Sequence, residues 1–352
     1  MRKESLKFLR RLLDTPSPSG FESEAQKLVR SEMEKFADEV RTDVLGNVIG
    51  VVNPEGRPKV MLAGHVDEIG FMVKYIDERG YIYFAPIGGV DAHLVPGERV
   101  YIHTSDGPIL GVVGKKPIHL MEARDRERVV PLHEQWIDIG ARSKGEAEKL
   151  VKIGDPITFA VGFQRLRNDF IVARGVDDKM GAFVVTEALR LLSRRRPKAA
   201  VFAVSTVQEE IGLRGARVSA FGIEPDVGVA VDVGFATDYP GVDKRRVGEV
   251  SVGKGPILHR GANINPKVGE LLIRAAEEEG IPYQLVGEPR GTGTDANVIQ
   301  LTRAGVATGL VSVPNRYMHT PSEVISLSDL DNAVRLLVAF VERLEPDMDF
   351  RI

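Results

Sequence analysis

Hydrophobic residues repeat at helical spacing near the start of the chain and form short continuous runs further on. Leucines at positions 6, 9, 12 and 13 predict a first helix, which the segment 15–20 (TPSPSG) ends, and a second helix is predicted over 22–36. Residues 40–52 alternate in the manner of two strands joined by a turn at Gly46 and Asn47. The apolar run 59–64 is typical of a strand buried on both faces, and it ends at His65.

The pattern changes in the middle of the chain and then returns. From 70 to about 160 the strand-like runs are short, glycines are frequent and one helix is predicted, over 143–151. Beyond this segment strands and helices alternate, with a helix over 181–193 and strands over 199–204 and 227–231. The last helix is predicted to begin at Ser328, with Asp331 in a capping arrangement.

This order of elements predicts an α/β fold with an insertion. A chain of 352 residues exceeds the usual size of a single hydrophobic core, so a large and a smaller domain are expected. We predict that residues 1–69 and 165–352 form one α/β domain, and that residues 70–164 form a small inserted β domain.

Composition narrows the function classes. Hydrophobic residues make up 43% of the chain, yet no run is long enough to cross a bilayer and no leader with a cleavage site is seen, which predicts a cytoplasmic protein. The net charge of -3 gives no case for a nucleic-acid partner, and the basic run 194–198 is expected to complement a helix end. With no cysteine, only His, Asp and Glu remain as strong metal ligands.

The most informative feature is a pair of adjacent carboxylates, Glu209 and Glu210, after the apolar run 199–204. Successive side chains on a strand point to opposite faces, so these two can share a site only where the strand has ended. Two neighbouring anions repel and raise each other's proton affinity, and a bound metal would resolve that conflict. One carboxylate is then a candidate ligand and its neighbour a candidate proton shuttle.

Other metal-capable side chains also follow predicted strands or enter loops. The segments are GHVDEIG (64–70), RGVDDKMG (174–181), QEE (208–210), VDVG (231–234) and RYMHTPSE (316–323). Each is a weak signal alone, but together they supply two imidazoles and at least three carboxylates at one predicted edge of a sheet. That set of ligands is typical of a two-metal hydrolase.

The chemistry of such a centre suggests roles for some of these residues. Two divalent ions close together need a bridging carboxylate and terminal His and carboxylate ligands. Asp67, two residues after His65, is placed to accept the second N–H of that imidazole. A carboxylate that is not used as a ligand must activate water, and either Glu209 or Glu210 fits that role.

Six motifs in order make the chain resemble a known family. GHVDEIG, RGVDDKMG, QEEIGLRG, VDVG, GTGTDAN and RYMHTPSE span nearly the whole length. The chain is similar to the glutamyl and deblocking aminopeptidases, which include the self-compartmentalising tetrahedral (TET) aminopeptidases. The resemblance implies a phosphorylase-like three-layer α/β sandwich with a mixed sheet, and a small β-barrel domain inserted in the chain.

The resemblance also implies a dinuclear metal site, commonly of zinc or cobalt. Under it, one ion takes His65 and Asp232, the other takes Glu210 and His319, and Asp177 bridges them. Glu209 becomes the general base, Asp67 becomes the partner that orients His65, and the peptide bond between Asp177 and Asp178 is expected to be cis. The implied reaction is hydrolysis of the first peptide bond of a substrate with a free α-amine.

The resemblance further implies a homo-oligomer acting on short or unfolded peptides. TET relatives build dodecamers from dimers, and the inserted domain is expected to dimerise, with no membrane partner. Three features stay open at this point. Residues 291–297 are either a capping loop for the next helix or a substrate-facing segment, and His93 and His119 are either structural or interface histidines.

Three rival functions remain to be distinguished. An endoglucanase could use two carboxylates, but it would need them separated across a sugar, usually with aromatic platforms, and aromatics make up only 6% of the chain. A related dinuclear deacylase or carboxypeptidase would share the metal ligands and differ in its products. A non-enzymatic relative would be expected to lack Glu209 or a ligand, and none is missing.

Overall fold

The computed structural model describes all 352 residues except for the side chain of Asp125. Its α-helices are α1 (Lys3–Asp14), α2 (Ser23–Met33), α3 (Ala123–Arg126), α4 (Lys144–Ala147), α5 (Val176–Arg195), α6 (Arg214–Ile223), α7 (Lys244–Val247), α8 (Pro266–Glu278), α9 (Ala296–Ile299) and α10 (Leu327–Glu342). Single turns of 3-10 helix lie at Ile118–Leu120 and Leu132–Glu134. Among the described residues, no helix is both long enough and apolar enough to span a membrane.

The strands follow the alternation expected from the sequence. They are β1 (Glu39–Thr42), β2 (Val48–Val52), β3 (Lys59–His65), β4 (Gly70–Ile76), β5 (Ile82–Ile87), β6 (Arg99–Thr104), β7 (Gly107–Gly114), β8 (Trp136–Asp138), β9 (Pro156–Phe159), β10 (Gln164–Arg165), β11 (Phe170–Ala173), β12 (Ala200–Thr206), β13 (Val227–Phe235), β14 (Ile257–Gly261), β15 (Gln284–Glu288), β16 (Ala307–Asn315) and β17 (Glu323–Ser326).

An eight-stranded mixed sheet forms the centre of the molecule, in the order β1-β2-β12-β3-β13-β16-β14-β15. Strands β12, β3, β13 and β16 run parallel, whereas β2 and β14 join this block antiparallel. Parallel strands bring their carboxyl ends to the same edge of a sheet. The residues that follow β3 and β12 and those at the end of β13 are therefore neighbours at one edge.

Helices cover both faces of this sheet. On β3, Val60 and Leu62 pack into a core with α1, α2, α5, α8 and α10, while Met61 and Ala63 face a second core with α6 and α9. Because successive side chains of a strand point to opposite faces, β3 contributes to the hydrophobic core on each side of the sheet. The predicted three-layer α/β sandwich is confirmed.

A close contact between β3 and α5 sets the position of the first histidine. A Cβ added at Gly64 would lie 2.3 Å from the backbone carbon of Gly181, so only glycine allows this approach. The end of β3 and the helix α5 are therefore in close backbone contact next to His65.

A closed barrel is built from the middle of the chain, in the order β4-β5-β8-β7-β6-β9. Its interior holds alternating apolar residues of these strands, with Phe71, Ile82, Val100, Ile137 and Ile157 fully buried. The predicted β-barrel is confirmed. The division of the chain into domains at 70 and 164 stays a prediction.

Two helix predictions were wrong in detail. The helix predicted over 143–151 is only α4 (Lys144–Ala147), and hydrogen-bonded turns continue to Val151. The last helix begins one residue earlier than predicted, because β17 ends directly at Ser326, whose hydroxyl accepts a hydrogen bond from Ser328 N at 3.1 Å. Asp331 does not cap this helix, and it binds the N-terminal ammonium group of Met1 instead.

Candidate metal centre

The carboxyl edge of the central sheet gathers the predicted ligands, together with the predicted base Glu209, in two groups. Within each group, one ligand atom per residue lies within 4.8 Å of the others. The first group is His65, Glu209 and Asp232, and the second is Asp177, Glu210 and His319. Residues separated by as many as 254 positions in the sequence thus converge on one site.

Asp177 joins the two groups. One of its carboxylate oxygens lies 3.2 Å from His65 Nε2 and the other lies 3.3 Å from His319 Nε2. It sits at the start of α5, where Asp177 and Asp178 depart from helical geometry and share a cis peptide bond, as the resemblance implied. A carboxylate with one oxygen toward each histidine has the arrangement that a bridging ligand needs.

The donor chemistry fits divalent cations. Burial, followed by repulsion from Asp232, Asp295 and Asp177, raises the pKa of Glu209 to about 10. Burial and the charge of Asp177 raise the pKa of Glu210 to about 8, and Glu210 Oε1 is buried without a hydrogen-bond partner among the described residues. Cations would relieve this repulsion and bind the orphan oxygen, since imidazole and carboxylate ligands suit zinc, cobalt and manganese.

The glutamate pair is divided between the two groups. Glu209 Oε2 lies 3.7 Å from His65 Nε2, and Glu210 Oε1 lies 3.6 Å from His319 Nε2. Their separation follows from the end of β12 at Thr206, after which the chain turns through a positive φ of 56° at Gln208. Glu209 is thus near enough to be a ligand as well as a base, and its assignment as the base stays a prediction.

Asp67 organises both glutamates. Its carboxylate accepts hydrogen bonds from the backbone N–H groups of Glu209, at 3.0 Å, and Glu210, at 3.1 Å, and from the Ser19 hydroxyl, at 2.6 Å. His65 Nδ1 lies 3.1 Å from the main-chain oxygen of Asp67 and 3.5 Å from its carboxylate. The imidazole is therefore oriented mainly by the Asp67 carbonyl, and the carboxylate is used to hold the pair of glutamates.

Two further acidic residues support the ligands, and the sequence reasoning missed them. Asp178 accepts a hydrogen bond from His65 N at 3.0 Å. Glu323 accepts hydrogen bonds from the backbone N–H groups of Asp177, at 3.1 Å, and His319, at 2.9 Å. Their presence in the motifs around Asp177 and His319 was the only signal, because their partners are main-chain groups.

A loop of the barrel reaches the second group. His319 Nδ1 lies 2.8 Å from the carbonyl oxygen of Gly89, which fixes Nε2 as the nitrogen that faces Asp177 and Glu210. A Cβ at Gly88 would lie 3.1 Å from Glu210 Oε2, and one at Gly89 would lie 3.0 Å from His319 Nδ1. The barrel thus contributes to the site through backbone that lies against two candidate ligands.

The undecided loop and histidines can now be placed. Thr292 and Thr294 line the cavity at the metal centre. Asp295 precedes α9 without a capping side-chain bond, and it accepts a hydrogen bond from Thr206 at 2.6 Å instead. His93 and His119 are exposed and lie outside both ligand groups.

A cavity of about 1140 Å³ opens at the metal centre. All six residues of the two groups line it, together with residues of β13, β14, β15 and β16 and of the segments 236–250 and 289–294. The fold and site together define an α/β protein with an internal β-barrel and a candidate two-metal site, an arrangement typical of metal-dependent hydrolases.

Comparison with known proteins identifies the family. The family model of the M42 glutamyl aminopeptidases matches residues 46–336. The lysyl aminopeptidase of Pyrococcus furiosus is 41% identical over 345 residues, which cover 97% of this chain and 98% of that protein. The chain belongs to the M42 glutamyl aminopeptidase family.

Solved structures agree in fold over almost the whole chain. The TET aminopeptidase from the marine sediment archaeon Thaumarchaeota archaeon SCGC AB-539-E09 is 36% identical, with a TM-score of 0.93 and 97% of each chain covered. The Pyrococcus horikoshii TET1 peptidase, which can assemble into a tetrahedron or a large octahedral shell, is 32% identical, with a TM-score of 0.87. Its match covers 97% of this chain and 100% of that one.

Proposed function

We propose that this protein is a metal-dependent aminopeptidase that removes N-terminal residues from peptides at a dinuclear centre. The observation that supports this most directly is the pair of candidate ligand groups, joined by Asp177, in the wall of a large cavity. In this proposal His65 and Asp232 would hold one ion, Glu210 and His319 would hold the other, and Asp177 would be shared between them. Zinc and cobalt are the expected metals.

The residues of the chain have separate tasks in the reaction. Bound divalent ions would polarise the scissile carbonyl and lower the pKa of a water molecule. Glu209 takes a proton from the attacking water on its carboxylate and returns it to the leaving amine. Asp67 keeps Glu209 in position, because the Asp67 carboxylate accepts a hydrogen bond from the backbone N–H of Glu209.

Family membership favours an aminopeptidase over the rival functions. A deacylase or carboxypeptidase could use the same ligands, so the products must distinguish them. The endoglucanase alternative is disfavoured because the carboxylates converge with histidines on two points, whereas a glycosidase needs two carboxyl groups facing each other across a sugar.

The test is mass spectrometry of the products from one unstructured peptide with either a free or an acetylated N-terminus. The enzyme is supplied chelated, or chelated and then reloaded with zinc or cobalt. We expect stepwise loss of residues from the free N-terminus only, and only after reloading. Acetyl removal alone, or no N-terminal loss from either peptide by the reloaded enzyme, would contradict the proposal.

We also propose that the chain forms homo-oligomers through its barrel, with dimers assembling to a dodecamer. Neighbouring strands of the barrel expose apolar side chains, since Tyr101, Leu110 and Val112 are 39%, 50% and 45% exposed. Light scattering after gel filtration tests this. Leu110→Glu is expected to reduce the assembly, and an unchanged mass for that variant would argue against the barrel as the interface.

A further inference from the structure

The turn 207–210 follows β12 and carries both glutamates of the candidate metal centre. Side chains accept hydrogen bonds from the backbone N–H of each of its residues. Asn47 Oδ1 lies 3.0 Å from the first of these nitrogens and Glu22 Oε1 lies 3.1 Å from the second, while the Asp67 carboxylate accepts the other two bonds. The conformation of the turn therefore depends on side chains from the first part of the chain.

Glu22 binds this turn at a residue with an unfavourable backbone conformation. Within residues 207–210 only Gln208 has a positive φ, of 56°. A residue with a Cβ keeps this left-handed conformation only where the surrounding structure holds it. The Gln208 N–H donates to the Glu22 carboxylate, and the Gln208 main-chain oxygen accepts a hydrogen bond from Arg214 N at 3.2 Å. Because φ at this position sets the direction of the chain beyond it, the bond to Glu22 influences where the two following glutamates point.

Glu22 is itself held in place and buried. It directly precedes α2, and only 6% of it is exposed. The oxygen that accepts the bond from the turn also accepts one from Gly20 N at 2.7 Å. Four residues further on, Gln26 Nε2 donates to the carbonyl oxygen of Ser205 at 2.8 Å. The start of α2 thus contacts both the end of β12 and the turn that follows it.

The surroundings of Glu22 use its side chain as a hydrogen-bond acceptor and do not favour its charge. In the described part of the chain, no lysine or arginine nitrogen lies within 4.0 Å of its carboxylate. Burial raises the pKa of Glu22 to about 7. The N–H groups of Gly20 and Gln208 both donate to Oε1, so a glutamine with its carbonyl oxygen in that place would accept the same two bonds.

We propose that Glu22 is a positioning residue for the reaction, which holds the turn at Gln208 and thereby sets the placement of Glu209 and Glu210. Glu22 does not line the cavity at the candidate metal centre, so it acts through the turn and not through contact with a substrate. This inference rests on the proposed aminopeptidase function, in which Glu209 is the base and Glu210 is a ligand.

The test compares Glu22→Met with Glu22→Gln on a peptide with a free N-terminus, at saturating metal. Methionine fills a similar volume but offers only a weak acceptor, whereas glutamine keeps one carbonyl oxygen. We expect kcat of Glu22→Met to fall by about 10–100-fold, the usual loss when a group that orients a ligand is removed. KM should stay near that of the wild type, and Glu22→Gln should retain most of the wild-type kcat. Equal kcat values for the two variants would overturn the inference.

Glu22→Asp separates the acceptor from the charge. Its carboxylate keeps the charge but is one methylene shorter, which withdraws the oxygen from the turn. We therefore expect its kcat to lie below that of Glu22→Gln. A higher kcat in Glu22→Asp than in Glu22→Gln would show that the charge is what matters, and would overturn the inference. This variant also carries the test if Glu22→Met does not fold.

Glu24→Met is the matched control. Glu24 is an exposed glutamate on α2 that pairs with the exposed Lys27 at 2.6 Å. Its kcat is expected to equal that of the wild type.

Hydrogen exchange of backbone amides tests the turn without any turnover. Mass spectrometry of peptides that span residues 206–212 measures this exchange in the metal-loaded proteins. We expect faster exchange in Glu22→Met than in the wild type, Glu22→Gln or Glu24→Met. Unchanged exchange in Glu22→Met, or faster exchange with an unchanged kcat, would overturn the inference. Failure of the wild type to cleave any peptide would overturn the proposed function instead, and the exchange comparison would still decide whether Glu22 holds the turn.

Discussion

Two buried charged clusters lie side by side in this molecule and differ in where their positive charge comes from. In one, Glu68 lies 2.7 Å from Lys179 Nζ and also pairs with the Arg174 guanidinium. In the other, the carboxylates of the candidate metal centre have, among the described residues, only the imidazoles of His65 and His319 as cationic partners. The two clusters are adjacent in sequence, since Glu68 follows Asp67 and Lys179 follows Asp178.

The pKa shifts of the two clusters run in opposite directions. Burial alone would raise the pKa of Glu68, but Arg174 and Lys179 lower it to about 2. At the metal centre, burial and neighbouring carboxylates raise the pKa of Glu209 to about 10. A cluster that carries its own cations is complete as a structural element. A cluster that lacks them needs cations from outside, and this difference separates the candidate metal site from an ordinary buried ion pair.

The largest effect is expected when the bridging carboxylate is removed from the metal centre. Asp177→Asn should lose bound metal at both positions and reduce activity to the detection limit, because both ions share this residue. Elemental analysis by mass spectrometry, after dialysis against trace metal, measures the occupancy. Full metal content in this variant would show that Asp177 is not the bridge.

Removing the base should separate metal binding from catalysis. Glu209→Gln is expected to keep metal content near that of the wild type while kcat falls by about 10²–10⁴-fold, the usual contribution of a general base. The same elemental analysis, combined with peptide hydrolysis, checks both quantities. Loss of metal from this variant would make Glu209 a ligand and require another base.

A change in the cluster of Glu68, Arg174 and Lys179 should lower stability and leave the metal content of the protein unchanged. Lys179→Met keeps an apolar stem but removes one of the two cationic partners of Glu68 and the hydrogen bond to the Thr15 carbonyl, which measures 2.6 Å. We expect a loss of about 3–5 kcal/mol in the free energy of unfolding, as for a broken buried ion pair, with metal content unchanged. Denaturant titration measures this.

An exposed ion pair offers a matched control for that variant. Lys198 pairs with Glu345 at 2.6 Å, and both side chains are largely solvent-accessible. Lys198→Met is therefore expected to change the free energy of unfolding by no more than about 1 kcal/mol. Equal losses for Lys179→Met and Lys198→Met would contradict the structural role of the cluster of Glu68, Arg174 and Lys179.

The smallest effect is expected from a residue that positions ligands through their backbone. Glu323→Gln keeps only one of the two side-chain oxygens that accept hydrogen bonds from the backbone N–H groups of Asp177 and His319. We expect this variant to bind metal about 10–100-fold more weakly and to remain active at saturating metal. Activity titrated against zinc or cobalt gives the affinity. An unchanged titration curve would limit Glu323 to a structural role.

Much of the fold could be predicted from local patterns. The continuous apolar run before His65 predicted a strand buried on both faces, and β3 is such a strand. The short strand-like runs after residue 70 predicted a β-rich insertion, and they form the barrel. These patterns are readable because burial on one or two faces imposes a period on the neighbouring residues of a strand.

The supporting residues of the site could not be predicted in the same way. Glu323 and Asp178 accept hydrogen bonds from main-chain N–H groups, and Gly89 meets His319 through its carbonyl oxygen. Any residue type offers such main-chain groups, so the sequence carries no mark of the partner. The cytoplasmic location and the dodecameric state stay predictions.

The sequence by itself determined which elements form and which residue types can hold a metal, because periodicity and side-chain chemistry are local properties. Only the tertiary structure decided that Asp177 directs one oxygen toward each histidine and that Asp67 uses its carboxylate to hold both glutamates. These arrangements depend on distances between residues far apart in the chain, and such distances are set by packing.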